Sequence, residues 1–326
     1  VYDAKTDSLH GLNANGWAPA NLTLEQLKST DVEHPTGIHA VTIPGAVAGW
    51  GVLHDRFGNK PMSRLLAASI TYAKNGFPVA ERNARAWSMF KEMLADKNAK
   101  ALYLPDDLAP TIGQVFENPD LAWSLEQIAS GGVNAFYRGE ITGRILAYSK
   151  ALGGKLSAAD FDEYRPEWVK PLSTEYRGWT VYELPAPTQG IAALSMLNIL
   201  ENVALQKYGH NSVASLHNMI EAKKLAYADM EKHVADAHFV TIPNAEILSK
   251  PYAQSRASLI DQKRANCDVS AGTLPDHGGD TTYLSVVDAE GNMVSLIQSI
   301  YYPFGSGLVA EGTGFALQNR GQLFNL

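Results

Sequence analysis

The chain has 326 residues, 27 Lys plus Arg against 34 Asp plus Glu, and a formal net charge of −7. That balance, with no basic stripe, argues against a nucleic-acid binder, and 45% hydrophobic against 19% charged residues excludes a disordered chain. The single cysteine, Cys267, excludes an intramolecular disulfide framework and a Cys-x-x-Cys zinc site. No apolar run reaches the length of a transmembrane helix. The length suits about two domains or one large α/β domain. The start, Val1-Tyr2-Asp3-Ala4-Lys5, has neither an initiator Met nor a signal-peptide core, and both ends read as cut.

In chain order, residues 1–10 predict a strand and turn. Leu22–Ser29 predicts a short amphipathic helix, and Pro44-Gly45 marks a turn. Trp50–Phe57 and Met62–Lys74 predict helices, the second with Leu65, Leu66, Ala68, Ile70 and Ala73 on one face. Asn75-Gly76 followed by Pro78 is a helix stop. Ala80–Ala101, Leu121–Ser130 and Phe136–Leu152 predict further helices, the last two stopped by Gly131-Gly132 and Gly153-Gly154. Ser157-Ala-Ala-Asp160 has the form of a capping box. Trp179–Leu184 predicts a strand, Ile191–Glu201 an apolar helix, and Ser212–Val234 the longest helix; residues 255–280 are loop-rich. Thr282–Asp288 and Met293–Ile300, joined by Ala289-Glu290-Gly291-Asn292, predict a β-hairpin. Helices first and antiparallel strands after give an α+β organisation.

Several motifs carry little chemistry. Gly305-Ser-Gly307-Leu-Val-Ala310 matches a dinucleotide fingerprint, but Glu311-Gly-Thr-Gly314 would break the helix that fingerprint needs. The nine histidines show no metal-ligand spacing, and His277, three residues before Asp280, reads as a solvated loop residue. Asn21-Leu22-Thr23 fits a glycosylation triplet, of a kind that arises often by chance. Nothing calls for a metal or an organic cofactor. What remains is Gly278-Gly-Asp280-Thr281-Thr282, a Gly-rich segment running into a strand. A Thr hydroxyl is a poor nucleophile near neutral pH. It gains an adjacent base when Thr becomes the first residue of a chain and its own α-amine serves. Attack of Thr281 on the Asp280 carbonyl would create such a terminus; a plain loop-to-strand junction is the competing reading.

Seven segments occurring in order resemble the γ-glutamyltranspeptidase family of N-terminal-nucleophile hydrolases. They are Gly37-Ile-His-Ala-Val-Thr-Ile-Pro-Gly-Ala-Val-Ala-Gly-Trp50, Ala73-Lys-Asn-Gly-Phe-Pro78 with Phe136-Tyr-Arg-Gly-Glu-Ile141, Leu172-Ser-Thr-Glu-Tyr-Arg-Gly178, Tyr182-Glu-Leu-Pro-Ala-Pro-Thr-Gln-Gly190, Glu221-Ala-Lys-Lys-Leu-Ala-Tyr-Ala-Asp229 and Thr281-Thr-Tyr-Leu-Ser-Val-Val-Asp-Ala-Glu-Gly-Asn292. The resemblance implies a four-layer αββα sandwich and a precursor that cuts itself into a large chain (here residues 1–280) and a small chain that begins at 281–326. These two chains would be each other's main partner. It implies Thr281 as nucleophile, Ser299 in place of a Thr that supports the nucleophile's hydroxyl, and Tyr301, Asn319 and Arg320 in the substrate pocket. The oxyanion hole would come from small-chain glycines beyond residue 326. The family default compartment is periplasmic or secreted.

This sequence departs from the family's pattern where the substrate's amino acid end is held. Tyr301 replaces an Asn, Arg320 a Gln and Leu323 an Asp, and no Arg stands beside Ala18-Pro19-Ala20. The function implied is transfer or hydrolysis of the γ-glutamyl group of glutathione-like amides through a Thr acyl-enzyme. A glutaryl-type acylase, in the manner of cephalosporin-side-chain acylases, and an unprocessed non-catalytic protein are the alternatives.

Overall fold

The computed structural model describes residues 1–29, 34–267, 269 and 282–324. The described residues fall into two compact units.

The first unit takes its described residues from Val1–Asn13, Glu167–Asp276 and Val287–Val294. Tyr2–Asp3 pairs antiparallel with Ser8–Leu9, and Tyr2 also lies opposite Met293. Gly11–Asn13 pairs with Glu167–Val169. Leu172–Tyr176 and Trp179–Glu183 form a hairpin in full register from Leu172↔Glu183 to Tyr176↔Trp179. Its two turn residues, Arg177 and Gly178, both have positive φ, at 50° and 86°, the turn that matches the twist of paired strands. Helices Gly190–Glu201, Val213–His233 and Lys250–Ala257 pack through Ala192, Ile199, Ala222, Leu225, Ala226 and Ala253. The small residues let these helices approach closely. Ser212 caps the long helix as expected, its hydroxyl accepting from the Ser215 N–H at 3.1 Å.

The second unit takes its described residues from Ala14–Pro166, His277–Val286 and Ser295–Leu326. Its helices include Ala46–Phe57, Met62–Asn75, Pro119–Tyr137 and Glu140–Ala151, the second and third packed along each other. The core beneath them holds Val41, Ile43, Phe136, Ile141, Ile145, Phe161 and Leu317, all buried. Each such aliphatic or aromatic side chain contributes about 1.5–3 kcal/mol on burial.

Boundaries differ from expectation for identifiable reasons. The helix expected over 80–101 ends at Phe90, turns through Lys91–Met93 and restarts at Lys97. Asp96 forces the restart, its carboxylate accepting from the N–H groups of Asn98 and Ala99 at 2.9 Å each. The stop expected at Gly131-Gly132 is real but local: Gly132 has φ 64°, and the helix resumes to Tyr137. The capping box at Ser157 forms as read, with Asp160 accepting from Ser157 N at 2.7 Å.

The segment after the dinucleotide-like glycines makes no helix. Val309 bridges Ala316, and the intervening carbonyls are satisfied by side chains of the flanking helices. Asn98 donates to Val309 O at 3.0 Å, Arg144 to Gly312 O at 2.7 Å, Ser124 to Thr313 O at 2.7 Å and Asn118 to Gly314 O at 2.8 Å. Buried backbone acceptors need such partners. The segment is thereby fixed as a rigid floor for the residues that follow it.

Candidate active site

The hairpin strands are Thr282–Val287 and Met293–Gln298. Asp288 N donates to Asn292 O at 3.1 Å, and the Asp288 carboxylate accepts from Asn292 N at 2.8 Å, which closes the turn. The second strand runs on into Ser299. Thr281 and Asp280, the expected scissile pair, lie outside the described residues, as does His277.

The other expected site residues come together within the second unit. Ser299 Oγ accepts from the Tyr301 N–H at 2.9 Å. Tyr301 has φ 76°, a left-handed backbone that costs a bulky residue free energy unless its surroundings hold it. Successive side chains of an extended strand point to opposite faces. The left-handed turn at Tyr301 breaks that alternation, so the rings of Tyr301 and Tyr302 stack at 4.6 Å with 18° between planes. Burial, with Tyr301 alongside, pushes the Tyr302 phenol up to about 12, so it stays neutral near neutral pH.

Asn319 clamps this turn from across the segment. It is 4% exposed. Its Oδ1 accepts from Tyr302 N at 3.1 Å, its Nδ2 donates to Gln322 Oε1 at 3.0 Å, and its own N–H donates to Ile300 O at 3.2 Å. Arg320 opens the 3-10 turn Arg320–Leu323 and lays its guanidinium over the Tyr301 ring, 5.2 Å from the centroid. Burial lowers its pKa, and the Tyr301 phenol alongside acts against that shift. No carboxylate pairs with it among the described residues. In a 3-10 turn, residues i and i+3 eclipse, so the neighbour on the same face is Leu323.

Two residues that sequence reading missed complete the support. Gln318 accepts from Arg320 N through Oε1 and donates from Nε2 to Thr42 O at 2.9 Å, so the start of the turn is tied to the segment between the 3-10 turn Gly37–Ala40 and helix Ala46–Phe57. Gly321 rests against Ala40, where a Cβ would lie 2.7 Å from the carbonyl oxygen. A Gly directly after a site Arg was the available signal for the second; nothing local marks the first. Trp50, at the end of one resemblance segment, donates from Nε1 to Gln298 Oε1 at 3.1 Å.

The Ala18-Pro19-Ala20 stretch packs elsewhere in the same unit. Ala20 N donates to Asp160 Oδ1 at 2.9 Å, and Trp17 meets Tyr164 edge-on at 5.3 Å. The first arginine of the chain is Arg56. Cys267 is exposed. Among the described residues no group of His, Cys, Asp and Glu could hold a metal, and no helix is long and apolar enough to cross a membrane.

Comparison with known proteins follows the same lines. The Gamma-glutamyltranspeptidase family model matches residues 1–326. A glutathione hydrolase-like YwrD proenzyme of Bacillus subtilis is 35% identical over all of this chain and 62% of its own length. The glutathione hydrolase proenzyme of Escherichia coli is 34% identical over 85% of this chain and 49% of its own. The crystal structure of cephalosporin acylase from Bacillus halodurans superposes with a TM-score of 0.87 at 38% identity, over 98% of this chain and 59% of that one. The chain thus spans about half to three fifths of the relatives it matches. The α+β fold is that of the N-terminal-nucleophile hydrolases, and the chain belongs to the γ-glutamyltranspeptidase family.

Proposed function

We propose that the protein carrying this chain is a Thr-nucleophile amide acyltransferase and hydrolase that first cuts itself before Thr281. In the cut, Thr281 Oγ attacks the Asp280 carbonyl carbon and the peptide nitrogen leaves, giving an ester and a free α-amine. Water hydrolyses the ester, which frees the Thr281 hydroxyl. In turnover that α-amine takes the hydroxyl proton as Oγ attacks the substrate amide. The proton passes to the leaving amine, and water or an acceptor amine resolves the acyl-enzyme. The acyl group implied by the family is γ-glutamyl, as in glutathione; glutaryl, the same chain without the α-amine, undergoes identical chemistry at the carbonyl.

The observation that carries this reading is the hairpin with Ser299. Ser299 follows directly on the hairpin's second strand, Met293–Gln298. Its hydroxyl accepts from the Tyr301 N–H at 2.9 Å, which supports the place the family resemblance gives it beside the nucleophile's hydroxyl. Asn319 has both side-chain polar atoms committed to the chain, so its part is to hold the pocket wall. The large and small chains left by the cut would be each other's partners.

The test is the intact mass of the full-length protein after a day at neutral pH. Two fragments meeting at Asp280–Thr281, with the Thr281→Ala variant uncut and inactive, are expected. A wild type that stays whole, or turnover that survives Thr281→Ala, would remove the assignment and favour the non-catalytic reading.

A further inference from the structure

His238 carries a carboxylate on each side of its ring. Its Nδ1 lies 2.8 Å from Asp236 Oδ1, and its Nε2 lies 3.0 Å from Glu167 Oε1. Asp236 belongs to the same turn as the histidine, and its Oδ1 also accepts from the His238 N–H at 2.9 Å. The Phe239 and Val240 N–H groups donate to Asp236 O at 3.0 and 3.2 Å, which closes that turn. Glu167 belongs to another element, the strand Glu167–Val169 paired with Gly11–Asn13. All of these residues lie within the first unit. A neutral imidazole has one N–H and one bare lone pair. It can donate to one carboxylate only, and it turns its lone pair on the other. The doubly protonated ring donates to both. The hydrogen bond to Asp236, then the charges of Glu167 and Asp236, raise the His238 pKa above its usual 6.5, with slight desolvation opposing. Among the described residues no other charged group bears on the ring.

We propose that His238 is a pH-operated latch: as imidazolium it ties the loop 234–243 to the strand Glu167–Val169, and it lets the loop go when the ring loses its proton. That loop joins the long helix Val213–His233 to the helix Asn244–Ile247. The backbone bonds of the turn hold Asp236 in place whatever the ring does. The neutral ring therefore keeps Nδ1–H on Asp236, and the bond lost is the one to Glu167. A histidine whose folded pKa is raised contributes its full stabilisation below the unfolded-state value. It loses that contribution as pH rises through the folded one. The latch is shut in mildly acidic solution and open in alkaline solution. Phe239, the next residue, is 85% exposed and offers a cleavage point that reports on the loop.

The experiment uses the full-length protein with chymotrypsin at pH 6 and pH 8.5, following by mass the fragment cut after Phe239. A free peptide of the same residues 232–245, cut at each pH, corrects for the protease's own pH dependence. When opening and closing are fast against cutting, the corrected rate tracks the open fraction. In wild type it is expected to rise about two- to fivefold from pH 6 to pH 8.5, the scale of an exposed ion pair. Glu167→Gln is expected to be cut at the alkaline rate at both pH values. His238→Arg, which keeps a cation there, is expected to be cut at the acidic rate at both. An NMR titration of the histidine rings, with the His238 signal identified by its loss in His238→Arg, should give a midpoint above 6.5 in wild type and a lower one in Glu167→Gln. A wild-type rate that does not change with pH, or a rise that persists in Glu167→Gln, would overturn the latch. So would a wild-type midpoint at or below 6.5, whatever the cutting rates do.

Discussion

The Tyr302 N–H donates to Asn319 Oδ1 at 3.1 Å, and this bond joins the turn after the hairpin to the turn that presents Arg320. The same Asn319 donates to Gln322 at 3.0 Å, so one buried amide fixes both ends of the candidate pocket. Asn319→Ala would leave the Tyr302 N–H without its acceptor and the left-handed Tyr301 without its brace. The expected cost is about 1–3 kcal/mol of stability, read from denaturant midpoints at constant slope. Gln322→Ala removes only the partly exposed partner and is expected to cost less than half as much. Equal costs for the two would show that the Tyr302–Asn319 bond is not what holds the pocket.

Gly321 sets how closely the Arg320 turn approaches the 3-10 turn Gly37–Ala40. A Cβ there would meet the Ala40 backbone at 2.7 Å from O and 3.1 Å from C. Backbone cannot swing aside as a side-chain tip can, so Gly321→Ala must push the two turns apart. Such overpacking costs about 1–3 kcal/mol. Because Arg320 precedes it directly, the displacement should also raise KM for carboxylate-bearing substrates. A variant with lowered stability and an unchanged KM would separate packing from substrate holding.

Leu323 eclipses Arg320 in the same 3-10 turn. Leu323→Asp places a carboxylate beside a guanidinium that has no carboxylate partner among the described residues. The new acid would pair with Arg320 and also offer an acceptor to a substrate ammonium. Use of γ-glutamyl-p-nitroanilide relative to the glutaryl compound is expected to rise about tenfold, the scale of a charge-assisted hydrogen bond. An unchanged ratio of the two kcat/KM values would mean that the 320–323 face does not meet the acyl chain.

Much of the fold was legible because it is local. Ser157 with Asp160, Ser212 before the long helix and the Gly291 turn each announce themselves within four residues. The strands Glu167–Val169 and Leu172–Tyr176 were not legible. Glu167, Lys170 and Glu175 blur their alternation, and the first is paired only by the distant Gly11–Asn13. Helix Lys250–Ala257 is short and polar, and Pro251 in its first turn reads as a breaker although that position tolerates it. The site divides the same way. Ser299, Tyr301, Asn319 and Arg320 were picked out by resemblance, but the clasp between Tyr302 and Asn319 was hidden. It depends on left-handed turns at Tyr301, Phe304, Gly305 and Gly307, of which only the glycines show in the sequence.

In the first unit, Lys250 gathers acceptors from three elements. Its Nζ donates to Glu175 O at 2.5 Å, Asn198 Oδ1 at 2.7 Å and Glu201 Oε2 at 2.7 Å. Asn198 is fully buried and accepts from Thr174 Oγ1 at 2.6 Å as well, so it keeps one partner if Lys250 goes. The Lys250 hydrogen bond, then the Arg177 N–H, hold the Glu201 carboxyl below the usual glutamate value of 4.5. A depressed carboxyl contributes stability that is fully present above the unfolded-state pKa and lost as pH falls through the folded one. Both side chains are about a third or more exposed, which screens the pair. Lys250→Met is therefore expected to lower the unfolding midpoint at pH 7 by the equivalent of roughly 0.5–1 kcal/mol. The gap between variant and wild type should hold from pH 7 down to about pH 4.5 and narrow below it, as Glu201 takes up its proton in the wild type too. Urea titrations at pH 7, 5 and 3.5 measure this directly. A gap that stays constant down to pH 3.5 would mean that Lys250 acts through Asn198 and the Glu175 carbonyl, and that the ion pair adds nothing.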